Sequence, residues 1–192
     1  TRRRRQRQMC IRDSINASDS AVTFTTSGDD INFNTSDVDL ANNDTTTINT
    51  GTGAGGVTFG AKVETNGGGN DNLTITSGEG NVTFTGSVGA ANSLGDLKVN
   101  DSSGDGDITF TSTIGDSENA GTSGVTSIGN DATEVIFFNN TLYSFDGGQT
   151  TITAKDGLNT RVTQADTTIK VNGEALRFDE SALSLSSGAN LT

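Results

Sequence analysis

The residues of this chain best suited to chemistry are its carboxylates, and they gather in turns. Asp101, Asp105 and Asp107 crowd one Gly-rich stretch, and Asp71 follows Gly67-Gly68-Gly69-Asn70. Carboxylate and carbonyl oxygens are hard ligands, so Asp71, Asp101, Asp105 and Asp107 are the candidate calcium ligands, and calcium is the one cofactor to weigh. Solvated turns, in which Asp bonds its own backbone, explain the same residues. No Glu stands at the loop spacing that would supply a bidentate ligand.

Catalysis has less to draw on. Sugar hydrolysis needs two carboxylates facing one cleft, whereas the acids here scatter over turns. Lyase chemistry needs a cationic base or a metal. The chain has no His, and beyond residue 14 its basic groups are Lys62, Lys98, Lys155, Arg161, Lys170 and Arg177 alone. No catalytic residue is assigned and the chain is expected not to be an enzyme. A polysaccharide lyase or hydrolase is the alternative, favoured only if the fold brings acids from separate segments into one groove. Phe137, Phe138, Tyr143 and Phe145 form an aromatic cluster that either binds glycan or packs inside, and packing is the expectation. Thr-x-Thr strings such as Thr83-Phe84-Thr85 suit an ice-binding face, although strand propensity accounts for them equally.

Charge narrows the partners. The formal net charge is −12, but residues 1–14 hold six of the 12 basic residues and one acid. Residues 15–192 therefore carry six basic and 23 acidic groups, a net of −17. Phosphate binding requires clustered Lys and Arg, so no nucleic-acid partner is expected. No apolar run approaches the ~20 residues that span a bilayer, so no membrane insertion is expected. Cys10 is the single cysteine, which rules out an intrachain disulfide. Residues 1–14 differ from the rest in charge and read as a foreign or disordered basic tail, Met9 to Ser14 being similar to translated adaptor sequence.

What must position any site is an internal repeat. Asp30-Ile31-Asn32-Phe33, Gly56-Val57-Thr58-Phe59, Asn81-Val82-Thr83-Phe84, Asp107-Ile108-Thr109-Phe110 and Glu134-Val135-Ile136-Phe137 align, with β-branched residues at 31, 57, 82, 108 and 135. A weaker copy begins at Val162, and Leu191 opens a further one. A second apolar position follows each Phe, at Val63, Val88 and Ile114. A third precedes the next copy, at Val22-Thr23-Phe24, Ile48, Leu73-Thr74-Ile75, Leu97-Lys98-Val99, Val125 with Ile128, and Ile152. Gly/Asp turns separate them. Three strands and three turns in about 26 residues make one coil, and one coil alone cannot bury both its faces. The expected fold is an all-β, right-handed parallel β-helix of about six to seven coils over residues 15–192, truncated at both ends. A β-sandwich is the rival, but it does not demand one string at a fixed period.

The wording Gly55-Gly56-Val57-Thr58-Phe59-Gly60, Leu73-Thr74-Ile75-Thr76-Ser77-Gly78-Glu79-Gly80-Asn81-Val82-Thr83-Phe84 and Leu94-Gly95-Asp96-Leu97-Lys98-Val99 resembles repeats of large bacterial surface proteins of the filamentous-haemagglutinin and autotransporter-like type. The resemblance spans residues 20–155 well and 156–192 loosely. It implies a secreted or surface-displayed stalk, continuous with flanking coils of a longer parent and meeting a cell-surface or glycan receptor. It carries over no catalytic residue. Gly67 to Leu73 also looks like part of a calcium-binding glycine-rich nonapeptide repeat, in a single copy.

Overall fold

Short runs of Val, Ile, Thr and Phe favour a pleated, half-buried strand, and the Gly, Asn and Asp between them favour turns. The computed structural model describes residues 15–16, 21–41, 44–67, 71–155, 159–172, 174–179 and 182–185. Over these residues the chain is all-β, without a helix, and is wound as a parallel β-solenoid of about six turns with a spacing near 26 residues.

Three sheets run along the axis. The first stacks Val22–Thr25, Thr45–Asn49, Asn72–Thr76, Leu97–Val99, Thr126–Ile128, Thr150–Thr153 and Leu176–Asp179. The second stacks Ile31–Phe33, Val57–Phe59, Val82–Phe84, Ile108–Phe110, Ile136–Phe138, Asn159–Val162 and Ala182–Leu185. The third is broken. Ile15–Asn16, Val38–Leu40 and Val63–Thr65 continue as single-residue bridges at Val88 and Ile114, which lead to Leu142–Asp146 and Thr168–Asn172.

Register turns this winding into columns of side chains. Val57 pairs with Val82 and Val82 with Ile108, so equivalent residues lie one above another on the inward face. Phe33, Phe59, Phe84, Phe110 and Phe138 form a ring stack with centroid spacings of 5.1, 4.8, 4.9 and 5.5 Å and planes within 18° of each other. Those spacings match the ~4.8 Å between neighbouring strands, so the backbone ladder itself sets the distance. At the corner before the second sheet the windings approach closely. A methyl group on Gly80 would collide with the carbonyl of Gly55, and one on Gly106 with that of Gly80.

The fifth winding departs from the expected register. Ile136, not Val135, pairs with Ile108, and Phe138, not Phe137, pairs with Phe110. The step is therefore 28 residues, from 108 to 136. A slip of one residue exchanges inside for outside, which is why Phe137 faces outward. Val162 is displaced likewise: it pairs with Phe138, extending the aromatic column, while buried Thr160 extends the Val/Ile column. In the first sheet Thr126 takes the place expected of Val125, which is 44% exposed. Within residues 139–149, Tyr143 continues the Val88–Ile114 column. Leu183 and Leu185 end the second sheet; residues 1–14 and Leu191 lie outside the described residues.

The same register carries hydroxyls into the core. Thr126 and Thr150 occupy the inward column that Leu73 and Leu97 fill in earlier windings. Thr126 and Thr122 share a hydrogen bond of 2.9 Å, whereas the buried hydroxyl of Thr150 has no partner among the described residues. Desolvating a hydroxyl without a hydrogen bond costs about 1–3 kcal/mol. Thr150→Val, which keeps the shape and removes that cost, is expected to raise stability by about 1 kcal/mol in urea unfolding. Phe84→Ala, which opens the middle of the ring stack, is expected to lower it by about 3–5 kcal/mol in the same measurement.

Candidate cleft on the third side

The acidic turns do structural work. Asp107 Oδ1 accepts the Val135 amide at 3.0 Å, as Asn81 Oδ1 accepts that of Asp107 and Asp30 Oδ1 that of Gly56, both at 2.9 Å. Each carboxylate or amide in this column ties its own winding to the next, just before the second sheet. A matching column precedes the first sheet, where Asn72 Oδ1 accepts the Asp96 amide at 2.6 Å and Asp96 Oδ1 that of Val125 at 2.8 Å. The calcium candidates are thus separated in role. Asp107 is a tie, Asp71 is 2% exposed, and Asp101 and Asp105 line different grooves at the corner between the first and second sheets. Among the described residues no three His, Cys, Asp or Glu side chains converge as ligands of one metal ion.

Phe138, Tyr143 and Phe145 are buried. Burial pushes the Tyr143 phenol well above its usual range, and its oxygen accepts the Asn140 amide at 2.7 Å while donating to the Phe110 carbonyl at 3.3 Å. Phe137 lies outside, under the Arg161 guanidinium at 5.6 Å. The outward Thr58, Thr83 and Thr109 column ends at Asn32 and Phe137, and the Thr23, Thr47 and Thr74 column is broken by Lys98. Neither Thr face is continuous along the rod.

The corner grooves are polar, with volumes of about 540 and 440 Å³, but fold contacts already engage amides on their walls. Asn49 Oδ1 accepts the Gly51 amide at 2.7 Å, and Asn130 donates to the Gly104 carbonyl at 2.9 Å while accepting the Ala132 amide at 2.7 Å.

A different cleft, of about 350 Å³, lies on the third side. It arises because successive windings cross that side with unequal lengths of chain. Two inward positions recur there, Val88, Ile114 and Tyr143 in one column and Leu94, Thr122 and Phe145 in the other. Between them lie residues 89–93 in one winding and 115–121 in the next, but only Ser144 in the winding after that. The 115–121 loop overhangs the short crossing, and Lys170 follows below, paired with Ser144.

The overhang is braced. Asp116 Oδ1 accepts the amides of Glu118 and Asn119, both at 2.7 Å, and these bonds hold its carboxyl below its ordinary range, the Asn119 amide contributing most. Asn119 donates to the Ala90 carbonyl at 3.4 Å, and the Ser93 hydroxyl donates to the Ala120 carbonyl. The 89–93 loop itself rests on Glu64, a buried carboxylate that accepts from Lys62 at 3.0 Å and from the Ala91 amide at 3.3 Å.

Carboxylates from two windings, Asp116 and Glu118 with Asp146, and an amine from a third, Lys170, therefore line one cleft. No carboxylate there was singled out in the sequence. The short crossing beneath the 115–121 loop leaves no mark in residue type or spacing.

Comparisons with protein-family models, curated proteins and solved structures give no match for this chain.

A carboxylate whose folded pKa is depressed contributes order that is present above its unfolded pKa and is lost as pH falls through the folded one. The amide resonances of Glu118 and Asn119 are thus expected to stay fixed on acidification until the pH is below about 3.9, the ordinary Asp value. A titration step at or above that value would contradict the bracing role of Asp116.

Proposed function

We propose that the chain is a rigid structural and adhesive segment of a secreted or surface-displayed bacterial protein, a stalk whose side loops make the contacts. The observation that carries this reading is the unbroken parallel pairing of seven strands in each of two sheets. Such a body transmits load through stacked backbone bonds, and it lengthens by repetition without redesign of its core. The loops on the third side interrupt only the third sheet, so they are free to carry recognition. An acidic body of net −17 suits an exposed, soluble shaft and disfavours anionic partners.

A carbohydrate-processing role is the second reading, favoured by the carboxylates of successive windings that share the third-side cleft. Hydrolysis of a glycosidic bond requires one carboxyl kept protonated. The bonds on Asp116 drive that carboxyl the opposite way. Retention of a glycan, rather than its cleavage, is the function that this arrangement supports.

The stalk reading has a direct test. Inserting a second copy of residues 82–107 after residue 107 adds one complete winding. Small-angle scattering is expected to show a rod longer by about 4.8 Å with unchanged cross-section. Loss of the cooperative fold, or a thicker particle of the same length, would overturn the spacer role.

A further inference from the structure

The third-side cleft holds one group that the fold leaves unused. Ser144 lies at the centre of the Leu142–Asp146 strand, between the inward Tyr143 and Phe145, so its side chain turns outward under the 115–121 loop. It is 8% exposed. Its amide and carbonyl are engaged, donating to the Ile114 carbonyl and accepting from the Gly121 amide, each at 2.8 Å. Its hydroxyl has no hydrogen-bond partner among the described residues. The hydroxyl opens into the cleft, so it can bond a group that enters there.

Around this hydroxyl, donors and acceptors alternate. Lys170, on the next winding, makes no ion pair among the described residues although three carboxylates line the same cleft. Asp116 is held in place by the amides of Glu118 and Asn119, which its Oδ1 accepts. Asp146 Oδ2 accepts from the Asn172 side chain at 3.3 Å. Phe145 and Val171 pass behind the cleft with their side chains turned to the core, so the lining is polar. A ligand matching this lining needs several groups that each donate and accept. Sugar rings have that pattern.

Net charge selects among sugars. Three carboxylates against one lysine leave the lining at −2, within a body of −17, so uronic acids and sulfated or phosphorylated sugars are repelled. Lys170 in turn opposes a cationic amino sugar. We infer that the cleft under the 115–121 loop is a binding site for a neutral, hydroxyl-rich saccharide, with the Ser144 hydroxyl bonding a ring hydroxyl at its base. The inference supplies a ligand for the adhesive reading above and rests on it.

The test uses the whole chain and NMR titration with neutral cello-, manno- and malto-oligosaccharides, beside oligogalacturonate and chitosan oligomers. At least one neutral series is expected to shift the amides of residues 116–120, 144 and 170–172 with saturable binding. Ser144→Ala removes a hydroxyl that bonds nothing among the described residues, so its unfolding midpoint is expected to stay at the wild-type value. Its affinity for the same saccharide is expected to fall about fivefold, the effect of one neutral hydrogen bond. Ser144→Leu, which fills the cleft, is expected to abolish binding. The assignment is overturned by shifts confined to other surfaces, by a preference for the charged oligomers, by equal affinity in Ser144→Ala, or by silence from every saccharide. A chain that ignores all of them yet lengthens on coil insertion sinks this site alone and leaves the stalk standing.

Discussion

Each winding must set its inward side chains directly over those of the winding before it, and every other feature of the molecule follows from that constraint. Parallel pairing fixes the axial step near 4.8 Å. Flat rings are among the few large side chains that repeat comfortably at such a spacing, which is why Phe59, Phe84 and Phe110 stack nearly coplanar. The same short step forbids a side chain where two turns meet, hence glycine at positions 55, 80 and 106. It also brings a backbone amide of each winding within reach of the turn residue above it. Asp30, Asn81 and Asp107 exploit this by accepting across the gap between coils. Acidity in the turns is in this sense part of the backbone ladder.

That linkage explains what was legible in the sequence and what was not. The period and the Val/Ile and Phe columns were readable from residue 31 to residue 110, because the same types recur in the same order. Legibility failed at Glu134-Val135-Ile136-Phe137-Phe138, where two alignments one residue apart place an apolar pair two residues apart. Hydrophobicity does not decide between them. The tie from Asp107 does, because it takes the Val135 amide and so places Val135 where Asp107 and Asn81 stand in earlier windings. Val125 was misplaced for the same reason, its amide being taken by Asp96. In both instances a valine occupies the position of an Asx residue, and the column it appears to join passes to its successor.

The cleft was hidden for another reason. A column of inward residues declares itself through repetition, whereas the cleft depends on a difference between neighbours. Residues 115–121 overhang only because the next winding crosses the third side with a single residue. Nothing about Ser144 as a residue type marks it; a serine in a strand reads as an outward polar side chain, which it is. Its place in a cleft comes from three windings meeting around it, a relation that spans residues 116 to 172 in sequence.

Placing variation on the third side is also the least costly choice for such a fold. The first two sheets are paired without interruption, and an insertion there would have to be accommodated in every ladder bond below it. On the third side the columns survive as single bridges at Val88, Ile114, Leu94 and Thr122, so chain added between two bridges leaves both in register. The entropic cost of a longer surface loop grows only slowly with its length. Bracing between adjacent loops, Asn119 to Ala90 and Ser93 to Ala120, then restores the rigidity that a recognition surface needs. The core thus fixes where a site can be built, and differences in loop length between neighbouring windings decide what its shape will be.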